Sequence, residues 1–119
     1  TILKACGLEP TDTMQGIDLL DDTALAKRKS THGACYLHNA IDIHKPSANL
    51  THRWLINGNW KVILPYKANL TTRDEAKGTG KTELYNLAKD PFERQNLAKS
   101  KASRVKRLTK QLNTLLPES

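Results

Sequence analysis

The sequence predicts an α+β fold, a four-stranded antiparallel sheet packed against one C-terminal helix, on three observations. Asn57-Gly58 divides two β-favouring runs within residues 53–65 (RWLINGNWKVILP). Two further short runs, 31–37 (THGACYL) and 83–87 (ELYNL), have strand composition. Val105, Leu108, Leu112 and Leu115 then recur at helical spacing close to the C-terminus.

Taken in order, residues 1–6 (TILKAC) end at Gly7, a favoured residue after a helix, and read as the last turns of a helix whose start lies before Thr1. The chain therefore reads as an excised piece. Residues 9–22 are rich in turn formers and predict a surface loop anchored by Ile17, Leu19 and Leu20. The strand at 31–37 puts Cys35 and Leu37 on one face and Tyr36 on the other. Pro46 interrupts residues 38–49, which predict a long connection.

In the hairpin, both Asn57 and Gly58 tolerate the positive φ of a two-residue type I′ loop. That loop predicts Leu55 opposite Trp60, Trp54 opposite Lys61 and Arg53 opposite Val62. Leu55, Trp60, Val62 and Leu64 then share one face, and Trp54, Ile56 and Ile63 the other. Both faces are partly apolar, as befits a strand pair covered on two sides, and one helix covers only one of them. Residues 67–81 lack any hydrophobic period and predict a loop. Asp90, Pro91 and Glu93 supply an N-cap carboxylate, an N1 proline and an N3 glutamate, so a helical turn is expected from Pro91. The final helix is expected over about 100–116, stopped by Pro117, with Ala98 and Ala102 extending its apolar stripe.

One domain accommodates 119 residues, with a lean core at 38% hydrophobic and 5% aromatic content. The net charge of +7 is localised. Residues 94–116 hold seven bases and no acid, which leaves twelve bases to balance twelve acids elsewhere. The basic helix face is expected to be solvated or to attract a sulfated polysaccharide; a stand-alone polyanion-binding module is the rival reading. No stacking platform or recognition-helix context accompanies the charge, which argues against nucleic acid. No signal peptide or membrane span is expected in these residues. Cys6 and Cys35 allow at most one disulfide, and two sequons, at Asn49 and Asn69, permit glycosylation in a eukaryotic secretory pathway.

Four ordered blocks resemble one family. Residues 83–98, with Glu83-Leu84-Tyr85-Asn86-Leu87, Asp90-Pro91, Glu93 and Asn96-Leu97-Ala98, resemble the ELYDL..DP.E..NLA signature near the end of arylsulfatase-type sulfatases. Trp60-Lys61-Val62-Ile63 is similar to the WKLI strand before it. Residues 1–10 are similar to the TILDLAGVEPP segment that follows the catalytic domain, and residues 16–20 to the adjoining GxSLLP-like segment, with Asp18 where serine is commoner. The resemblance implies the C-terminal subdomain of a sulfatase of the alkaline phosphatase-like superfamily. The resemblance implies a parent that hydrolyses sulfate esters or sulfamates of a glycan; a related phosphonate or phosphodiester hydrolase is the alternative. The partner it implies is an upstream catalytic domain, which would cover the second face of the hairpin. The resemblance also implies that calcium or magnesium and a formylglycine nucleophile belong to that missing domain, and that the parent is periplasmic, secreted or lysosomal. Neither Cys6 nor Cys35 is followed by the proline and arginine of the formylglycine motif, and Asp21-Asp22 lies in the wrong context for a metal ligand, so no catalytic residue transfers and the fragment alone is expected to be inactive.

Gly78 to Thr82 (GTGKT) ends like a phosphate-binding loop, but Glu75 stands where glycine is needed and a strand follows where a helix is required. His32, Cys35 and His38 would line a helix as zinc ligands; on a strand the histidines and the cysteine point apart. His38, Asp42 and His44, in the connection before the hairpin, are the candidate substrate-binding residues, on a loop expected at the pocket rim.

Overall fold

The computed structural model describes residues 1–14, 16–37, 40–66 and 80–116. Its elements are α1 (Ile2–Ala5), α2 (Asp22–Lys27), β1 (Ser30–Tyr36), a 3-10 turn (Pro46–Asn49), β2 (Leu50–Asn57), β3 (Trp60–Pro65), β4 (Glu83–Asn86) and α3 (Ala102–Leu115). The strands form one antiparallel sheet in sequence order, with α3 packed on β2 and β3. This is the expected α+β architecture.

The hairpin register differs from expectation by two residues. Asn57 pairs with Trp60, Leu55 with Val62, Trp54 with Ile63 and Arg53 with Leu64, so the loop residues are Gly58 and Asn59. Gly58 has φ +55° and Asn59 does not adopt a positive φ, the pattern of a Gly-X type II′ turn rather than type I′. Asn57 is drawn into the strand by a distant partner: its Nδ2 donates to Gln111 Oε1 of α3 at 2.8 Å. A shift of two preserves the pleat, so the predicted division of faces holds.

Leu55, Val62, Leu84, Leu108 and Leu112 form the buried core between sheet and helix, flanked by Trp60, Leu64, Leu97, Ala98, Val105 and Leu116. Each fully buried leucine contributes about 2 kcal/mol of apolar transfer free energy. The stripe on α3 ends on Leu116 and not on Leu115, which is 41% exposed. The backbone leaves helical geometry after Leu115, and Leu116 turns inward there while its N–H still donates to Leu112 O at 2.7 Å.

The opposite face carries Trp54, Ile56 and Ile63, all only half-buried. Trp54 lies against Gly33 on β1, where a Cβ would come within 2.8 Å of the indole, so glycine is what lets the ring lie flat on the neighbouring strand.

Beyond β4, the expected helical turn does not form. Glu93 N–H donates to Asp90 O in a single turn, and Glu93 then takes φ +55°, which ends any helical run. Its carboxylate accepts from Lys61 Nζ at 2.8 and 3.0 Å instead of reaching back to Asp90. Asp90 holds the loop by accepting from Arg94 N at 3.0 Å and Gln95 N at 2.8 Å. Those two donors, with Arg94 nearby, keep the Asp90 carboxyl below the usual range. The loop then closes the free edge of β4: Leu84 N donates to Asn96 Oδ1 and Leu97 N to Leu84 O.

Residues 1–6 form the expected helical turn, with Gly7 at φ +73° after it. Thr1 Oγ1 donates to Ile17 O and accepts from Leu19 N, which holds α1 to the following loop. Sequence reasoning did not anticipate α2. Its signal was Asp21, whose Oδ1 caps Thr23 N at 2.9 Å and Ala24 N at 3.1 Å.

Candidate functional site

The connection between β1 and β2 is built around one buried amide. Asn49, only 7% exposed, accepts from the N–H groups of Ile41 and Asp42 and donates from Nδ2 to Asp42 O at 2.7 Å. A single side chain therefore satisfies three backbone groups and fixes the loop. Asp42 Oδ1 accepts from His44 N at 2.8 Å, an Asx turn that positions His44 two residues on. Asp42 and His44 are both exposed on this loop, and His38, the third candidate, lies outside the described residues. The geometry brings Asp42 and His44 together through the backbone of one turn.

Two large apolar residues share that loop, Ile41 at 63% and Ile43 at 77% exposure. Like the half-buried Trp54, Ile56 and Ile63 on the second face of the sheet, they are apolar residues that the core cluster does not include. The sequon at Asn49 is sterically closed, since its amide is buried and committed to the loop. Asn69 lies outside the described residues.

A second constellation surrounds the beginning of α3. Arg104 stacks over Trp60 with its guanidinium carbon 4.2 Å from the ring centroid. The pair borders a cavity of about 280 Å³ whose wall also includes Asn86, Lys89, Asp90 and Lys101. Asn86 Oδ1 is buried there with no hydrogen-bond partner. Sequence reasoning found the basic segment but not this grouping, which forms only when the hairpin, β4 and α3 meet.

Other candidates are dispersed. On β1, His32 stands opposite Leu55 and Cys35 opposite His52, on different faces of the sheet as strand periodicity requires. Cys6 and Cys35 are both free and exposed. Among the described residues no group of three or more His, Cys, Asp or Glu side chains is placed to hold a metal ion. Gly78 and Thr79 of the GTGKT run lie outside the described residues, and Glu83–Asn86 after it is a strand. No helix among the described residues is long and apolar enough to cross a membrane.

No protein-family model and no curated protein matches the sequence. Solved structures do match its shape. Two come from work on the metabolism of multiple glycosaminoglycans by Bacteroides thetaiotaomicron. The first, BT33336S-sulf, is 19% identical with TM-score 0.61, over 96% of this chain and 23% of its own. The second, BT33494S-sulf, is 20% identical with TM-score 0.62, over 99% of this chain and 25% of its own. A third, BT4656 in complex with its substrate D-glucosamine-2-N,6-O-disulfate, is 24% identical with TM-score 0.56, over 99% of this chain and 22% of its own. The chain spans about a quarter of the length of these proteins, and over nearly all of its residues it shares the fold of that part of them.

Proposed function

We propose that this chain is the C-terminal subdomain of a sulfatase, part of a larger hydrolase that cleaves sulfate esters or sulfamates of a glycan. The observation that carries the reading is the likeness of almost the whole chain to about a quarter of each of three sulfatase structures. The ordered blocks at 1–10, 16–20, 60–63 and 83–98 support it from the sequence side. So does the apolar surface left uncovered at Trp54, Ile56, Ile63, Ile41 and Ile43, which suits burial against an upstream catalytic domain.

In this reading the calcium or magnesium ion and the formylglycine reside in that domain, and these residues alone turn nothing over. The loop carrying His38, Asp42 and His44 lies at the rim of the substrate pocket, where Asp42 and His44 recognise hydroxyl or sulfate oxygens of the sugar. The parent acts in the periplasm, a lysosome or outside the cell.

Assay of the full-length protein on an aryl sulfate and on a phosphodiester tests the reaction class. Sulfate release is the expected result, and faster phosphodiester cleavage would replace the reading with the related hydrolase. His38→Ala and His44→Ala in the same protein test the rim: KM for the glycan should rise, and unchanged KM and substrate preference would remove the loop from recognition.

A further inference from the structure

Of the seven bases of residues 94–116, Lys101 and Arg104 line one cavity where α3 begins, and Lys89 from outside the segment joins them. Helix N-termini carry partial positive charge and ordinarily attract acidic side chains and capping oxygens. The first turn of α3 has no acidic residue, and Lys101 at its N-cap makes no side-chain cap. Lys99, Lys101 and Arg104 crowd that positive end instead. Sequence selection for stability alone would place carboxylates here.

Lys101 and Arg104 also border that cavity, which has a defined wall. Trp60, Lys101 and Arg104 line it together with Lys89, on the segment after β4, and Asn86, whose Oδ1 is buried without a hydrogen-bond partner. Asp90 is the single carboxylate on the wall, and it is occupied by the N–H groups of Arg94 and Gln95. Among the described residues no carboxylate pairs with Lys89, Lys101 or Arg104. With its guanidinium carbon 4.2 Å from the Trp60 centroid, Arg104 sits over the indole, and a guanidinium offers N–H donors that can take an oxyanion in bidentate fashion.

We propose that this cavity binds a sulfate ester carried by a saccharide, an assignment that rests on the reading of the larger protein as one that acts on sulfated glycans. Arg104 supplies the directional donors and Lys89 and Lys101 the compact charges.

The test is calorimetric titration of the full-length protein with a heparin-derived tetrasaccharide, with the same tetrasaccharide after desulfation, and with a DNA oligonucleotide of equal charge. The sulfated tetrasaccharide should bind saturably at low ionic strength and more weakly as salt rises. The Lys89→Gln/Lys101→Gln double variant should weaken it about tenfold, and Arg104→Gln by at least as much, each with an unchanged melting temperature. Undiminished binding in the double variant, equal binding of the desulfated sugar, or equally variant-sensitive binding of DNA would overturn the assignment. Should Arg104→Gln disturb the packing of Trp60, the double variant of the two exposed lysines still decides the matter. Aryl sulfate turnover, measured on the same preparations, separates the two readings. Turnover without variant-sensitive binding rejects this site alone, whereas variant-sensitive binding without turnover supports the site and rejects the sulfatase reading.

Discussion

Arg53 Nη1 donates a 2.7 Å hydrogen bond to the carbonyl oxygen of Leu116, joining the middle of β2 to the residue that ends α3. Arg53 is 3% exposed, a charged group within the sheet face that also carries Leu55 and Leu64. A helix C-terminus is where cations are favoured, because the last carbonyls have no intrahelical partner. The bond therefore holds the residue at which the helix stops, with Leu116 packed against the core and Leu115 left 41% exposed.

Replacing Arg53 by Ala leaves that carbonyl unsatisfied and should destabilise the subdomain by about 2–3 kcal/mol. Arg53→Lys keeps the charge without the planar fork and should fall between wild type and Ala. Denaturant unfolding of the full-length protein, followed by tryptophan fluorescence, reads both. Wild-type stability in Arg53→Ala would show that the helix end is held by Leu116 packing alone.

Glu93 combines two opposed effects in one residue. Its φ of +55° is strained for a side chain that carries a Cβ, yet its carboxylate holds Lys61 Nζ through both oxygens. Glu93→Ala loses the ion pair and retains the strain. Glu93→Gly also loses the pair but relieves the backbone. The glycine variant should therefore be the more stable of the two by about 1 kcal/mol. A double-mutant cycle with Lys61→Met should give a coupling of about 1 kcal/mol for this partly exposed pair. Equal stability of the Gly and Ala variants would mean that the conformation at residue 93 carries no strain.

Much of this fold is legible because its signals are periodic. Alternation in the hairpin assigned Leu55 and Val62 to one face and Trp54 and Ile63 to the other, and the faces survive the two-residue error in register because strand periodicity is two. The register itself was not legible, since Asn57 reads locally as a turn residue and only its bond to Gln111, on a helix not yet placed, makes it a strand end. The capping box failed for the same reason: Glu93 had the right spacing from Asp90, but Lys61 on β3 competes for its carboxylate. Burial of Arg53 could have been suspected from its position two residues before Leu55, on the face that α3 covers. Of the candidate site, Asp42 and His44 were found as a loop pair, whereas the cavity at Trp60 and Arg104 joins residues far apart in the chain.

Tyr85 provides a pH signature. It is 7% exposed, and burial, followed by its bond to Glu83 Oε2 at 2.7 Å, pushes its phenol from the ordinary value of 10.0 up to about 12. The neutral, donating form is the one the folded state prefers. Below pH 10 both folded and unfolded chains keep the proton, and this preference is fully satisfied. Between pH 10 and about 12 the unfolded chain ionises first, so stability should fall across that window. Spectrophotometric titration should show one tyrosinate appearing late, and Tyr85→Phe should remove both that step and its share of the alkaline instability. A full complement of tyrosinate at pH 10 to 11 in the folded protein would contradict the buried hydrogen bond.

Asn49 links stability to the candidate substrate loop. Its amide serves Ile41 N, Asp42 N and Asp42 O, so Asn49→Ala strands three backbone groups in a partly buried turn. A loss of about 2–3 kcal/mol is expected, from more than one hydrogen bond and from a loop that must then be held by its own chain entropy. Asn49→Asp retains two acceptor oxygens for the N–H groups but places a carboxylate against Asp42 O, and it should be intermediate at best. The kinetic consequence separates scaffold from site. If Asp42 and His44 meet the glycan, a loosened loop should raise KM for the full saccharide while leaving turnover of a small aryl sulfate, which does not reach them, little altered. Equal losses on both substrates would instead mean that Asn49 acts only through the stability of the subdomain, and the loop would lose its place in recognition.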